Sequence, residues 1–82
     1  MTTVRIPPTL RPETGGAREV PAEGDTVREL LDDLTARFPA LTGKLEYANV
    51  YVDGEDVRTL DGNATAVREG ATVILLPAMA GG

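Results

Sequence analysis

One stretch of this chain, GDTVRELLDDLTARFP at 24–39, changes period, and that change constrains the fold more than any other feature. Val27, Leu30, Leu31, Leu34 and Phe38 recur at three-to-four spacing, the mark of an amphipathic helix, while Arg28, Glu29, Asp32 and Asp33 occupy its polar face. Thr26 with Glu29 three positions on fits a capping box, in which each side chain satisfies a backbone N–H near the helix start, and Pro39 marks the stop. A helix that is apolar along one side must bury that side, and the rest of the chain offers it strands.

Val4 and Ile6, ahead of Pro7-Pro8, predict a short strand with Arg5 facing the other way, and PETGG at 12–16 supplies a turn before a second strand, AREVP at 17–21. After the loop ALTGKLEYA, Val50 and Val52 alternate against Tyr51 and then meet Asp53-Gly54, a hairpin signal that predicts a third strand and a short fourth. TLDGNATAVREG at 59–70 is polar, punctuated by glycine and read as irregular, and ATVILLP at 71–77 is the last strand. The order β-β-α-β-β-β predicts an α+β fold of the β-grasp type, a mixed sheet of four to five strands covered on one face by one main helix. Residues 1–77 form that domain, and 78–82 are expected to be an extended, flexible tail ending in Gly-Gly.

Composition narrows the function. A chain of 82 residues buries only about 60–65% of the surface it exposes when unfolded, which leaves little room for a deep enclosed active site. Cysteine is absent, so neither a disulfide framework nor a thiolate metal site is available. Histidine is absent too, which removes the commonest general base and metal ligand. The expectation is a chain that is not an enzyme, with no catalytic residues of its own and no bound metal or cofactor. A formal charge of −5 favours solubility and an electropositive partner surface, and argues against nucleic acid. MTTVRIPPTLRP lacks the apolar core of a signal peptide, and the longest apolar stretch, Ala71–Ala80, is about half of a membrane span and contains Thr72 and Pro77. A cytoplasmic protein, off the membrane and monomeric when free, is expected.

Several short motifs carry no chemistry. Gly43-Lys44 hints at a phosphate loop, but that motif needs glycine where the chain has Phe38 and serine or threonine where it has Leu45. Asn63-Ala64-Thr65 matches a glycosylation acceptor with no secretory signal to make it one. Asp32 and Asp33 diverge by about 100° on a helix and do not converge on one bond. Glu55-Asp56 beside the Asp53-Gly54 turn reads as turn solvation, since calcium-loop spacing is missing. Lys44 is the only lysine and shows neither the burial nor the partner of a catalytic amine.

The last strand and the tail carry the signal. If Val73 and Leu75 point to the helix, Ile74 and Leu76 point outward, as does Tyr51 by the same parity on the neighbouring strand. Together they predict an apolar patch on the uncovered face, a feature that marks an interaction site in a small soluble domain. Five residues beyond Pro77 reach about 17 Å when extended. Gly81 and Gly82 lack a Cβ, so this tail passes a channel too narrow for side chains. Its terminal carboxylate, with a pKa of about 3.5, is ionised and a very poor electrophile, so any chemistry there requires prior activation such as adenylation by ATP. Sulfide or a persulfide then displaces the leaving group to give a thiocarboxylate, and a chain without cysteine carries sulfur only at that terminus.

Four segments, VRIPPTLRPETGG, GDTVRELLDDL, NVYVDGEDVR and LLPAMAGG, make the full chain resemble the bacterial ubiquitin-like sulfur carrier proteins, the group of the molybdopterin synthase small subunit and the thiamine sulfur carrier. Within that group it looks most like the actinobacterial branch that serves cysteine biosynthesis. The resemblance implies a β-grasp fold and adenylation of Gly82 by an ATP-dependent E1-like enzyme. It further implies sulfuration from a rhodanese-type or sulfide source and delivery to a downstream synthase. It maps the sulfur-carrying terminus onto Gly82, and the tail that enters a partner's active site onto Gly81, Ala80 and Met79. Docking maps onto the region of Ile74, Leu76 and Met79, next to which parity places Tyr51. Molybdopterin synthesis and thiosugar or other natural-product assembly are alternative destinations for the sulfur. A modifier joined to lysine amines, as ubiquitin is, is the alternative of another class.

Overall fold

Local capping chemistry sets the limits of the helix. In the computed structural model, which describes residues 2–45 and 48–77, α1 spans Val27–Arg37. Thr26 is extended, and its hydroxyl accepts from the Glu29 N–H at 3.3 Å. The Glu29 carboxylate reaches one residue past the cap and accepts from the Asp25 N–H at 2.7 Å. The Val27 N–H donates to the Thr65 carbonyl at 3.0 Å and the Val67 N–H to the Asp25 carbonyl at 2.9 Å, so the helix start is stitched to the segment before the last strand. Gly24 makes this approach possible, because a Cβ there would lie 2.7 Å from that of Glu29. At the far end Phe38 leaves the helical region at φ −127°, ψ 80°, and the proline that follows disfavours helical geometry for it.

The sheet is mixed and five-stranded: β1 (Thr2–Arg5), β2 (Glu19–Ala22), β3 (Ala48–Val52), β4 (Glu55–Asp56) and β5 (Thr72–Pro77), in the order β2-β1-β5-β3-β4. β5 lies at the centre, parallel to β1 and antiparallel to β3. With α1 across one face this is the expected β-grasp arrangement. The β3–β4 hairpin turns on Asp53 (φ 49°) and Gly54 (φ 88°), the two positive values that match the twist of the strands.

The strand limits differ locally from the sequence pattern. β2 begins at Glu19, because Ala17 and Arg18 still close the long loop: the Thr14 hydroxyl bridges the Arg11 and Ala17 carbonyls, and the Ile6 N–H donates to the Arg18 carbonyl. The stretch read as irregular contains a 3-10 turn at Gly62–Ala64, and its Thr65 and Val67 are buried. Lys44, the only lysine, pairs with Glu13 at 2.9 Å and ties the loop after α1 to the loop after β1. The division at 77 and the 78–82 tail fall outside the described residues.

The core lies between helix and sheet. Val27, Leu30 and Leu34 are fully buried against Val4, Val20, Val50, Val52, Val73 and Leu75, while Leu31 and Phe38 sit at the margin, partly exposed. The five-residue apolar stripe therefore splits into a buried line and a flank.

Candidate functional site

The side of the sheet away from α1 is built by parity. Val73 and Leu75 are completely buried, so Ile74 and Leu76, one residue out of step on β5, stand on the open face. Antiparallel register sets Tyr51 directly opposite Ile74 and Asn49 opposite Leu76. Parallel register on the other side sets Arg5 opposite Ile74, and Arg5 in turn faces Glu19 across β1–β2. One transverse row thus reads Glu19, Arg5, Ile74, Tyr51, Asp56. Ile74 and Tyr51 are half-buried, and Leu76 is 43% exposed, one of two large apolar residues so exposed among the described residues. A facing aromatic and β-branched pair is a favourable cross-strand contact in itself.

Charge frames this patch. Arg5 and Glu19 approach to 3.5 Å on one side. On the other, the Asp56 carboxylate accepts from the Arg58 side chain at 2.7 Å and from the Arg58 backbone N–H at 2.9 Å, capping the 3-10 turn at Val57–Thr59. The guanidinium hydrogen bond, then the backbone N–H, hold the Asp56 carboxyl below the usual aspartate range, and the same side-chain bond raises Arg58. The reading of Glu55-Asp56 as turn solvation is refined accordingly: Asp56 is a cap and an ion-pair partner.

The structure brings Tyr51, Ile74 and Leu76 onto one face, at the end of the sheet where β5 finishes. Met79, Ala80, Gly81 and Gly82 lie outside the described residues. Pattern reading missed Arg5, Asn49 and Arg58 as neighbours of the patch. Arg5 was assigned the correct face, but its place beside Ile74 depends on a pairing between the first and last strands that no local motif encodes.

No other region offers a competing reaction centre among the described residues. The cleft between α1 and residues 42–50, about 320 Å³, is open and has Asp32 as its one carboxylate beside Arg28, Thr35 and Asn63. Asp33 points elsewhere, accepting from the Glu23 N–H at 3.0 Å and pairing with Arg37 at 3.1 Å. The described residues contain no group of three or more acidic side chains arranged to hold a metal, and no helix long and apolar enough to cross a membrane.

Comparison with known proteins agrees with this architecture. The ThiS family model matches residues 4–82. The sulfur carrier protein CysO of Mycobacterium tuberculosis is 46% identical over 90 aligned residues, covering 98% of this chain and 97% of that protein. The small archaeal modifier protein 3 of Haloferax volcanii is 38% identical over 64 residues, 70% of each chain. Among solved structures, a chain in the crystal structure of an Amycolatopsis orientalis BexX/CysO complex superposes with a TM-score of 0.91 at 42% identity, with 100% of both chains covered.

Proposed function

The chain belongs to the ThiS family, and from that premise we propose that it is a sulfur carrier whose Gly82 carboxylate is converted to a thiocarboxylate and spent in cysteine biosynthesis. The observation that carries this reading is the likeness to CysO, which runs through nearly the whole of both chains. In the first step a Gly82 carboxylate oxygen attacks the α-phosphate of ATP on an E1-like enzyme, and pyrophosphate leaves. A sulfide or persulfide sulfur then attacks the acyl carbon, and AMP leaves. When a persulfide supplies the sulfur, reduction of the resulting acyl disulfide by a thiol frees the thiocarboxylate. The chain's own part is to bind and present: Tyr51, Ile74 and Leu76 dock the partner, while Met79, Ala80, Gly81 and Gly82 thread into its active site. It is a co-substrate of its partners and needs no resident cofactor, and the similarity to the CysO chain of the Amycolatopsis orientalis BexX/CysO complex supports engagement with a partner protein.

A second reading, amide formation between Gly82 and a lysine, is favoured by the archaeal modifier likeness. Intact-mass measurement after incubation with ATP, a sulfur source and the host's E1-like enzymes separates the two. An oxygen-to-sulfur exchange lost on deletion of Gly82 supports the carrier. Isopeptide-linked products without that exchange support the modifier, and no product with any activating enzyme overturns both.

A further inference from the structure

The chain has 13 acidic and 8 basic residues, and the fold distributes them unevenly. β1 runs parallel to β5 with Arg5 opposite Ile74, and β3 runs antiparallel with Ala48 opposite Pro77. The loop after β1, the start of β2 and the loop before β3 therefore gather at the end of the sheet where β5 finishes. The Glu13–Lys44 pair and the contact between the 3-10 turns Arg11–Thr14 and Pro39–Leu41 bring the end of α1 there as well. Arg5, Arg11, Arg18 and Lys44 sit at that pole with Glu13 and Glu19 among the described residues, while Arg37, at the end of α1, turns its guanidinium back to the Pro21 carbonyl and to Asp33. The opposite pole, where α1 and β5 begin, carries Glu23, Asp25, Glu29, Asp53, Glu55 and Glu69 against Arg28 and Arg68.

Three of the exit-pole arginines, Arg5, Arg11 and Arg18, line one open recess with Ile6 and Glu19. Glu19 is the recess's one carboxylate, and it is engaged by Arg5. Arg11 is anchored through Nε, which donates to the Ile6 carbonyl at 3.1 Å, leaving its terminal nitrogens without a partner among the described residues. Arg18 has no ion-pair partner among them either. Arg5 belongs both to this recess and to the apolar row of Ile74 and Tyr51. Cationic recess and apolar face are therefore one continuous surface beside the end of β5.

Net charge favours an electropositive partner, but distance decides against it at this pole. The molecule measures 29 × 27 × 18 Å, whereas at physiological salt charges are screened over about 8 Å. A surface that closes on the tail feels the arginines beside β5 rather than the acids at the far end.

We propose that the enzyme receiving the tail presents a carboxylate-rich rim at its entrance, which Arg5, Arg11 and Arg18 meet as Ile74, Leu76 and Tyr51 dock. This rests on the carrier reading. The test is the initial rate of Gly82 loading by the host's E1-like adenylating enzyme, from about 0.05 to 0.5 M salt. It compares the full chain with the charge-reversed pair R11E/R18E, the neutral pair R11Q/R18Q, and Glu23→Arg at the opposite pole. The expected result is kcat/KM falling with salt for the native chain and lowered about ten-fold or more by R11E/R18E at low salt. The neutral pair should fall between, kcat should be unchanged, and Glu23→Arg should be no slower than the native chain. Because Arg11 also holds the Ile6 carbonyl, amide NMR of the full chain titrated with a poly-glutamate peptide gives a second measurement. Shifts confined to the residues around Arg5, Arg11 and Arg18 support the recess, and uniform or absent shifts overturn it. Native-rate loading of R11E/R18E, or a native rate indifferent to salt, also overturns the proposal while leaving the carrier reading intact. A native chain that no activating enzyme loads overturns both.

Discussion

At the scale of single residues, Asp56 joins fold and site. Its carboxylate caps the turn after β4 and holds Arg58 beside Tyr51, and its acidity is strengthened chiefly by the Arg58 guanidinium. A carboxyl whose native pKa is depressed contributes stability above its unfolded value, near 4, and loses that contribution as pH falls through the native value. Asp56→Asn keeps an acceptor for the cap and removes the charge. Thermal melts should therefore show the variant less stable than the native chain at pH 7, by a small margin because solvent screens a surface pair. The gap should narrow as pH falls below the ordinary aspartate range, through the depressed native value. A gap that is constant with pH would mean the effect is packing rather than charge. Lys44 shows how little of such pairing is written locally. Its partner Glu13 lies 31 positions away, and only the joining of two loops at one end of the sheet brings them together.

Among the elements, α1 was the most legible and β2 the least. Thr26, Glu29 and Pro39 are local signals, and the helix starts and stops where they place it. β2 is short and follows a loop whose closure depends on hydroxyl bridges from Thr14, so AREVP marked a strand but not its first residue. Periodicity also named five apolar helix positions without ranking them. Burial does rank them, with Leu30 fully enclosed and Leu31 at the edge of the open cleft. Leu30→Ala should cost about 2–5 kcal/mol, the range for a large side chain removed from a packed core. Leu31→Ala should cost about 1 kcal/mol, since solvent already reaches that site. Urea unfolding of both variants checks this, and equal losses would place the core on a different face of the helix.

For the molecule as a whole, one strand both completes the core and leads to the tail. The strand order could not be read from the chain, because pairing of β1 with β5 joins residues about 70 apart and leaves no local trace. The open face was legible only as parity: Ile74, Leu76 and Tyr51 followed from alternation, while their arginine neighbours required the register. That topology has a consequence for loading. β5 is hydrogen-bonded on both sides, and its Val73 and Leu75 are wholly enclosed, so without it β1 and β3 lose their common partner and the apolar side of α1 is left uncovered. A chain ended after Gly70 should fail to fold cooperatively. A chain ended after Pro77 retains every described strand and every described core residue, and, if the last five residues serve only for presentation, should melt within about 1–2 °C of the full chain. Circular dichroism melts of the two truncations decide the matter. If the chain ended after Pro77 melts far below the full one, the last five residues support the domain and are not free to be presented to an enzyme. If its melt is unchanged, folding is complete before those residues are used, and an activating enzyme meets a finished domain whose end it can energise without paying to unfold it.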